Sequence, residues 1–277
     1  MAATAKNLSP LGLIAGTGDL PRLLIKSCQS QGRPVYILAI EGQTEPALVE
    51  NVPHLWIHFG EIGKALKYCH ENGVQEVVMA GGINRPSLKD IRPDLRGAIW
   101  LAKIGTKALG DDNILKILIS LMESEGFSVV GPHQILENAV CPEGVLGRHH
   151  PDAQAKDDIT RGTQILKVMS DLDIGQAVVI QQGLVLGVEA IEGTDALIQR
   201  AGPLKRSGEG PILVKIAKTT QENRADLPTM GPQTIQNLHY AGIRGIAIEG
   251  GRAFLLHQAE TIRLADECGI FIYGIKP

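Results

Sequence analysis

The stretch L-G-L-I-A-G-T-G-D-L-P (residues 11–21) sets the fold of the N-terminal half. It predicts a short buried strand, Leu11–Ala15, which runs directly into a glycine turn. Leucines at three-to-four spacing then predict a helix that ends near Gly32, and Val35–Ile40 is the next strand. Strand, helix and strand in this order form a β-α-β unit, in which a glycine turn commonly holds phosphate.

The glycine turn departs from the dinucleotide-binding pattern. It reads G-x-G-x-x-P, because Pro21 stands where the third glycine would allow close packing of helix on strand. We interpret Asp19 as the N-cap of the helix and Pro21 as a first-turn residue. Glu41 stands where a ribose-binding acid would be, but the missing glycine disfavours a dinucleotide site.

A second strand in this half ends in the same way. Gln75–Ala80 is followed by G-G-I-N-R-P (residues 81–86). Since the carboxyl ends of parallel strands share one edge of a sheet, the two turns are expected to form one crevice. The alternative, which is stronger for any single glycine, is that these residues only make tight turns. The residues expected at the crevice are Gly16, Gly18, Gly81, Gly82 and Asn84.

The segment Pro93–Lys107 predicts an amphipathic helix that contains Trp100. Its basic residues share one side, and Leu101 and Ile104 lie opposite. The favoured interpretation is a helix packed on the core with a solvated basic face. The alternative is a helix that rests on an anionic lipid surface.

The middle of the chain predicts a boundary between two α/β halves. Pro132 to Pro151 is rich in proline and glycine, so we expect domains at 1–131 and 152–277 with a linker at 132–151. Beyond it, two apolar runs flank Gln182-Gly183, which predicts a β-hairpin and therefore an antiparallel or mixed sheet.

The composition narrows the function. The chain has 277 residues, a net charge of −3 and only 4% aromatic residues, so nucleic acid is not an expected partner. Four separated cysteines without C-x-x-C indicate packing thiols in a reducing compartment. No secretory signal or spanning apolar run is evident, which predicts a soluble cytoplasmic protein.

The stretch from Val188 to Gly231 concentrates charged residues that suit phosphate chemistry. Glu189 ends an apolar strand, where a carboxylate is costly to bury unless a cation or metal pairs with it. Lys215 and Lys218 follow a β-branched run. Lys215 is either on an exposed strand face, which the pattern modestly favours, or a phosphate ligand in a crevice.

The loop that closes this stretch ends in D-L-P-T-M-G (residues 226–231) at a predicted helix start. A helix start offers backbone N–H groups to an anion, so Asp226 beside it suggests metal ligation or activation of water. The alternative is a plain N-cap, although Thr229 or Gly231 is the more natural cap. Because the sequence has no nucleophile elbow, P-loop or H-E-x-x-H, attack by water with metal assistance fits better than covalent catalysis.

Five motifs together resemble one enzyme family: I-A-G-T-G-D-L-P, A-G-G-I-N-R-P, G-D-D before an apolar helix, G-L-V-L-G-V-E-A-I-E-G-T-D-A, and K-T-T-Q-E-N-R-A-D-L-P-T-M-G. The chain resembles, along essentially its whole length, the UDP-2,3-diacylglucosamine pyrophosphatases of the lipid A pathway, of the type unrelated to calcineurin-like phosphoesterases. Thr17 and Gly82 depart mildly from the commoner form, which has glycine and asparagine there.

The resemblance implies an N-terminal Rossmann-like parallel-sheet domain and a C-terminal α/β domain with a mixed sheet, with the lipid nucleotide held in a cleft between them. It implies Mg²⁺-dependent hydrolysis to UMP and 2,3-diacylglucosamine 1-phosphate (lipid X), with water attacking the phosphorus on the sugar side. The aspartate of the D-L-P-T motif, here Asp226, would be the key catalytic residue. A homodimer and peripheral contact with the inner face of the inner membrane are also expected.

The resemblance and the residue patterns together give the expected site. Asp226 and Glu189 are the expected metal ligands, and the lysines are expected to neutralise the diphosphate. Two alternatives remain: a Rossmann protein that binds a nucleotide without hydrolysis, and a nicotinamide-dependent oxidoreductase. The expected substrate-binding residues are Gly16, Thr17, Gly18, Asp19, Gly82, Asn84, Thr194, Asp195, Lys215, Lys218, Gln221 and Thr229.

Overall fold

The computed structural model describes residues 8–84, 90–104, 111–218, 224 and 227–276, with the backbone alone at 103, 104 and 111–114. These residues form two compact units. The first comprises the described residues up to Glu137 together with Arg224, and the second comprises those from Asn138 to Lys218 and from Leu227 onward. The predicted boundaries at 131 and 152 stay a prediction.

A parallel five-stranded sheet forms the centre of the first unit. Its strands lie in the order β3-β2-β1-β4-β5. This is the strand order of a Rossmann-like sheet, as the sequence predicts. The strands are β1 (Leu11–Ala15), β2 (Val35–Ile40), β3 (His54–Ile57), β4 (Glu76–Ala80) and β5 (Ser128–Val130).

Helices cover both faces of this sheet because its strands are apolar on both sides. In β2, Leu38 and Ile40 pack into one core cluster, whereas Ile37 and Ala39 pack into another on the opposite face. This is the alternation of a strand buried on two sides. The helices described here are α1 (Asp19–Ser30), α2 (Pro46–Val49), α3 (Ile62–Glu71), α4 (Leu95–Ile104) and α5 (Asp111–Ser124).

The second unit contains a mixed six-stranded sheet, as the hairpin signal predicts. The order is β6-β13-β11-β9-β7-β8, with β9, β11 and β13 parallel and with β6 and β7 antiparallel to their neighbours. Its strands are β6 (Gly144–Leu146), β7 (Ala177–Gln181), β8 (Leu184–Val188), β9 (Ile212–Lys215), β11 (Gly245–Glu249) and β13 (Phe271–Ile275). A separate parallel pair is formed by β10 (Thr229–Met230) and β12 (Phe254–Leu255).

Two apolar layers enclose this sheet as well. One contains residues of α6 (Ala153–Ser170), and the other contains residues of α7 (Thr194–Ala201), α8 (Pro232–Tyr240) and α9 (Gln258–Cys268). No helix was predicted for the segment that forms α7, which lies within the charged stretch 188–231. The strand β6 lies inside the expected linker, where a three-residue edge strand is too short to show a periodicity.

Two expectations about helices in the first unit are wrong in detail. Gly18, at φ 89°, is the N-cap of α1 and provides no side-chain cap, while Asp19 is the first helical residue. In α4, Trp100 is buried in the core, as core packing predicts, but Leu101 is exposed, together with Leu95 and Ile99. With Trp100 turned inward, its neighbour lies 100° around the helix and faces outward. No helix in the described part of the chain is long and apolar enough to cross a bilayer.

Candidate functional site

Charged side chains gather at one edge of the mixed sheet. The parallel strands β9 and β11 end there at Lys215 and Glu249. The antiparallel strand β7 begins beside them, since Ala177 pairs with Lys215, and the N–H of Glu189 donates to the carbonyl of Ala177. These strand ends are far apart in the sequence, but the fold brings them to the same carboxyl edge of the sheet. This is the edge at which α/β sheets bind ligands.

Lys215 is buried rather than on an exposed strand face. Only 7% of it is accessible, and its Nζ donates to the carbonyl oxygen of Thr229 at 3.1 Å. The modestly favoured expectation of exposure is therefore wrong. The strand β9 is buried along its whole length, so alternation does not mark a solvent face. The contact brings together two of the expected substrate-binding residues, Lys215 and Thr229.

Lys218 leaves the same strand end and pairs with a carboxylate that the sequence did not suggest. Its Nζ lies 2.6 Å from Oδ1 of Asp173, and the lysine is the less exposed partner. Asp173 adopts φ 56° in the turn that precedes β7. The pair places a second cation on the edge, three residues beyond Lys215.

Glu189 is buried, and each of its carboxylate oxygens accepts a hydrogen bond. Its Oε2 accepts from the backbone N–H of Gln176 at 3.0 Å, and its Oε1 accepts from Oγ1 of Thr194 at 2.9 Å. The structure thus joins the expected residues Glu189 and Thr194. Asp195 faces elsewhere in the same unit, since its Oδ1 accepts from Nδ2 of Asn237 at 2.8 Å.

The exposed turn beyond Glu189 carries an ion pair of its own. Glu192 accepts hydrogen bonds from Arg200 at 2.6 and 3.1 Å. These bonds, joined by a backbone N–H, hold the pKa of Glu192 below its usual range. Glu192 therefore belongs to the base of α7 rather than to the group around Lys215.

Glu249 is a further buried carboxylate that sequence reasoning missed. Its Oε2 accepts from the backbone N–H of Ala217 at 2.9 Å, and its Oε1 accepts from Nη1 of Arg252 at 3.2 Å. The sequence signal was present, because Glu249 ends an apolar strand as Glu189 does.

The described residues offer a sparse set of metal ligands. Within them, no group of three or more His, Cys, Asp or Glu side chains is placed to hold a metal ion. Glu189 accepts one hydrogen bond on each carboxylate oxygen, which leaves acceptor capacity on both. Mg²⁺ commonly takes one or two carboxylates, substrate phosphates and waters, so Glu189 with one further carboxylate fits it. Asp226 and Gln221 lie outside the described residues.

The glycine turns of the first unit meet, as the crevice prediction requires. Thr17 and Gly82 exchange backbone hydrogen bonds of 2.8 and 3.1 Å, and Oγ1 of Thr17 donates to the carbonyl of Gly82 at 3.1 Å. A Cβ on Gly16 would lie 2.3 Å from the carbonyl oxygen of Gly82. The glycines therefore permit a direct backbone contact between the turns. Asn84 lies beside them, its N–H donating to Oε1 of Gln43 at 2.9 Å.

Arg224, within the loop that leads to the D-L-P-T motif, belongs to the first unit. Its Nη1 lies 2.7 Å from Oε1 of Glu123. Its Cα would lie 3.2 Å from a Cβ built on Gly131, so backbone approaches backbone there. This pair is separated by 101 residues in the sequence, so no local pattern predicts it.

Comparison with known proteins finds matches along nearly the whole chain. Residues 10–139 match the family model described as the LpxI N-terminal domain, and residues 142–273 match the LpxI C-terminal domain. The chain is 36% identical over 274 residues to the UDP-2,3-diacylglucosamine pyrophosphatase LpxI of Caulobacter vibrioides, covering 96% of this chain and 98% of that protein.

Proposed function

The chain belongs to the LpxI family, and we propose on that ground that it hydrolyses the pyrophosphate bond of UDP-2,3-diacylglucosamine in lipid A biosynthesis. The products are UMP and 2,3-diacylglucosamine 1-phosphate. The observation that carries the proposal is the match to a UDP-2,3-diacylglucosamine pyrophosphatase along 96% of this chain.

Lys215 and Lys218 neutralise the diphosphate in this proposal. Both leave one strand end, and a diphosphate presents several anionic oxygens to nearby amines. Lys215 is already held in place by the carbonyl of Thr229, so little side-chain freedom is lost when it binds. Thr194, whose Oγ1 already donates to Glu189, orients the sugar.

Asp226 positions the attacking water or ligates Mg²⁺ together with Glu189. Bound Mg²⁺ supplies positive charge to the phosphate oxygens as negative charge develops on them. Water adds its oxygen to the phosphorus on the sugar side and releases a proton to solvent, while the bond from that phosphorus to the bridging oxygen breaks and UMP leaves with that oxygen. The buried position of Glu189 beside the cationic edge supports this assignment.

Replacement of Asp226 tests the catalytic assignment. Asp226→Ala is expected to lower turnover by orders of magnitude while substrate binding stays largely intact, because the lost group acts on the reacting water. Single-turnover assays measure the first quantity, and equilibrium binding of substrate measures the second. Near-normal turnover by Asp226→Ala would contradict the assignment.

The activity itself is tested with purified protein and UDP-2,3-diacylglucosamine, with Mg²⁺ and with EDTA. We expect UMP to accumulate in the presence of Mg²⁺, and we expect its release to stop when EDTA is added. Substrate binding without release of UMP would instead indicate a protein that binds the nucleotide lipid and does not hydrolyse it. An absorbance change that requires a nicotinamide cofactor would indicate an oxidoreductase instead.

We propose that the protein acts as a homodimer in the cytoplasm, with peripheral contact to the inner face of the inner membrane. The exposed apolar residues of α4, Leu95 and Ile99, support such contact. Light scattering of the protein tests the dimer. Flotation with anionic vesicles, compared between wild type and Leu95→Ser, tests the membrane contact.

A further inference from the structure

Three segments of the second unit meet at the end of the mixed sheet opposite its carboxyl edge. The first is the tip of the β7–β8 hairpin, where Gln181 pairs with Leu184. The second is the segment 202–209, which follows α7. The buried side chain of Gln181 joins the two, since its Nε2 donates to the carbonyls of Arg206 at 2.9 Å and Glu209 at 2.8 Å. Its Oε1 accepts from the N–H of Arg206 at 2.8 Å, so the segment 202–209 is fixed to the hairpin.

The third segment is the end of α8, which packs against the same residues 202–209. A Cβ on Gly202 would lie 3.0 Å from the carbonyl oxygen and 3.1 Å from Cβ of Ala241. A Cβ on Gly242 would lie 3.5 Å from Nζ of Lys205. Tyr240 is the last residue of α8 and directly precedes Ala241, so it lies beside this contact.

Large apolar side chains are exposed on all three segments. Tyr240 is 84% exposed, Leu204 is 51% exposed and Leu184 is 47% exposed. Because Leu184 is the cross-strand partner of Gln181, its side chain lies on the face of the sheet to which the segment 202–209 is fixed. Exposed apolar residues need no explanation when they are scattered singly, but three of them on segments in contact indicate an interaction surface.

Two cations lie within this surface. Lys205 and Arg206 follow Leu204 directly, and both are exposed. The only acidic residue of the segment 202–209 is Glu209, which lies 3.5 Å from Arg244 and is thereby engaged by another cation. Tyrosine, leucine and basic residues together suit the interface of an anionic bilayer, where the apolar groups enter the headgroup region and the cations are attracted to lipid phosphates.

We propose that this tip surface, formed by Leu184, Leu204, Lys205, Arg206 and Tyr240, docks the second unit on an anionic phospholipid bilayer. A second copy bound through the same surface about a two-fold axis would bring like charges together, so charge complementarity favours the bilayer. The inference rests on the proposed membrane contact and deepens it, because it adds a surface in the second unit to that of α4.

Flotation of the full-length protein tests the tip surface. One set of vesicles contains equal parts of phosphatidylglycerol and phosphatidylcholine, and the other contains phosphatidylcholine alone. We expect Lys205→Gln/Arg206→Gln to lower the partition coefficient for the mixed vesicles about tenfold or more, because both cations are attracted to the anionic leaflet. Tyr240→Ser is expected to lower it as well, since the ring no longer enters the headgroup region.

Lys26→Gln/Lys167→Gln is the matched control, because it removes the same charge from two exposed lysines elsewhere. Lys26 belongs to α1 in the first unit, and Lys167 belongs to α6, which covers the other face of the mixed sheet. We expect this control to float as the wild type does. Added salt is expected to weaken binding of the wild type to the mixed vesicles.

The inference fails if the wild type does not float with the mixed vesicles, or if it binds phosphatidylcholine alone equally well. It also fails if Lys205→Gln/Arg206→Gln floats as the control does. A shift of that variant from dimer to monomer with unchanged flotation would show that the tip surface contacts a second copy instead. Thermal midpoints show that every variant compared is folded.

Assays on detergent-solubilised substrate separate this inference from the proposed hydrolysis. Lys205→Gln/Arg206→Gln is expected to release UMP at the wild-type rate, since the tip surface lies at the end of the sheet opposite Lys215. A loss of turnover in detergent would contradict a role limited to docking. Wild-type protein that floats but releases no UMP would defeat the proposed hydrolysis and leave the docking surface supported.

Discussion

At the residue scale, burial separates what the sequence could predict from what it could not. Glu189 was identified because a carboxylate at the end of an apolar run is costly to bury alone. The burial of Lys215 was missed because β9 is covered on both faces, and such a strand has no polar side for comparison. Asp173 was missed because its partner, Lys218, lies 45 residues away in the chain, and local spacing carries no record of such a pair.

The contact between the glycine turns makes a prediction about Gly16. Gly16→Ala would place Cβ 2.3 Å from the carbonyl oxygen of Gly82 and 2.9 Å from that of Gly81. Backbone cannot rotate away as a side chain can, so we expect a loss of about 2 kcal/mol or more in the free energy of unfolding. Urea denaturation measures it.

Gly210→Ala is a suitable control for Gly16→Ala. Its added Cβ would lie 3.5 Å from Cβ of Arg244 and 3.5 Å from the carbonyl oxygen of Gly242, which are ordinary contacts, and the residue has no positive φ. We expect it to change stability by no more than about 0.5 kcal/mol. Equal stability of the two variants would show that the turns can separate without cost.

At the element scale, the hairpin β7–β8 shows a local signal completed by a distant residue. Gln182 and Gly183 adopt φ 49° and 78°, the left-handed geometry of a tight hairpin turn, which the sequence predicted. The support for this turn comes from α6. Asp158 is 1% exposed and accepts from the N–H groups of Gln182 at 2.8 Å and Gly183 at 2.7 Å. No periodicity within the hairpin could reveal it.

Replacement of Asp158 is therefore expected to weaken the turn. Asp158→Asn puts an amide donor opposite one of two backbone donors, and we expect a loss of about 2 kcal/mol in the free energy of unfolding. Hydrogen exchange should accelerate at the amides of Gln182 and Gly183. The exposed neighbour Asp157 is the control, and Asp157→Asn should leave both measurements within error. Slow exchange at the turn in Asp158→Asn would contradict this account.

At the scale of the whole molecule, the sequence predicted the type of sheet in each half. It did not predict which distant segments of the chain contact each other. Parallel strands with helices between them, followed by a hairpin, were enough to predict a parallel sheet and a mixed sheet. The pairing of β10 with β12 and the place of Arg224 in the first unit depend on contacts between distant segments. Such contacts are decided by packing after the elements form, so local patterns do not encode them.

The packing of both units predicts how the four cysteines react. Cys28, Cys69 and Cys141 are buried, and burial raises the pKa of Cys69 and Cys141 to about 11 and also raises that of Cys28. Cys268 is partly exposed. Since the thiolate is the reactive form, one thiol is expected to react rapidly with a disulfide reagent at pH 8, and four in denaturant.

Mass spectrometry of the modified protein identifies the rapid thiol. Cys268→Ser is expected to remove it and to leave the slow ones unchanged. Rapid reaction at Cys69 or Cys141 in the native protein would mean that the core around that thiol opens readily.

The hydrogen-bonded contact between Thr17 and Gly82 has a consequence for the evolution of this protein family. A Cβ at position 82 would lie 2.9 Å from Oγ1 of Thr17, which already binds the carbonyl of Gly82. A side chain at position 82 would therefore require Oγ1 of Thr17 to move, whereas glycine at position 17 would leave that space open. We therefore expect that relatives with a side chain at position 82 have glycine at position 17. Substitutions at positions 17 and 82 are therefore expected to occur together during evolution.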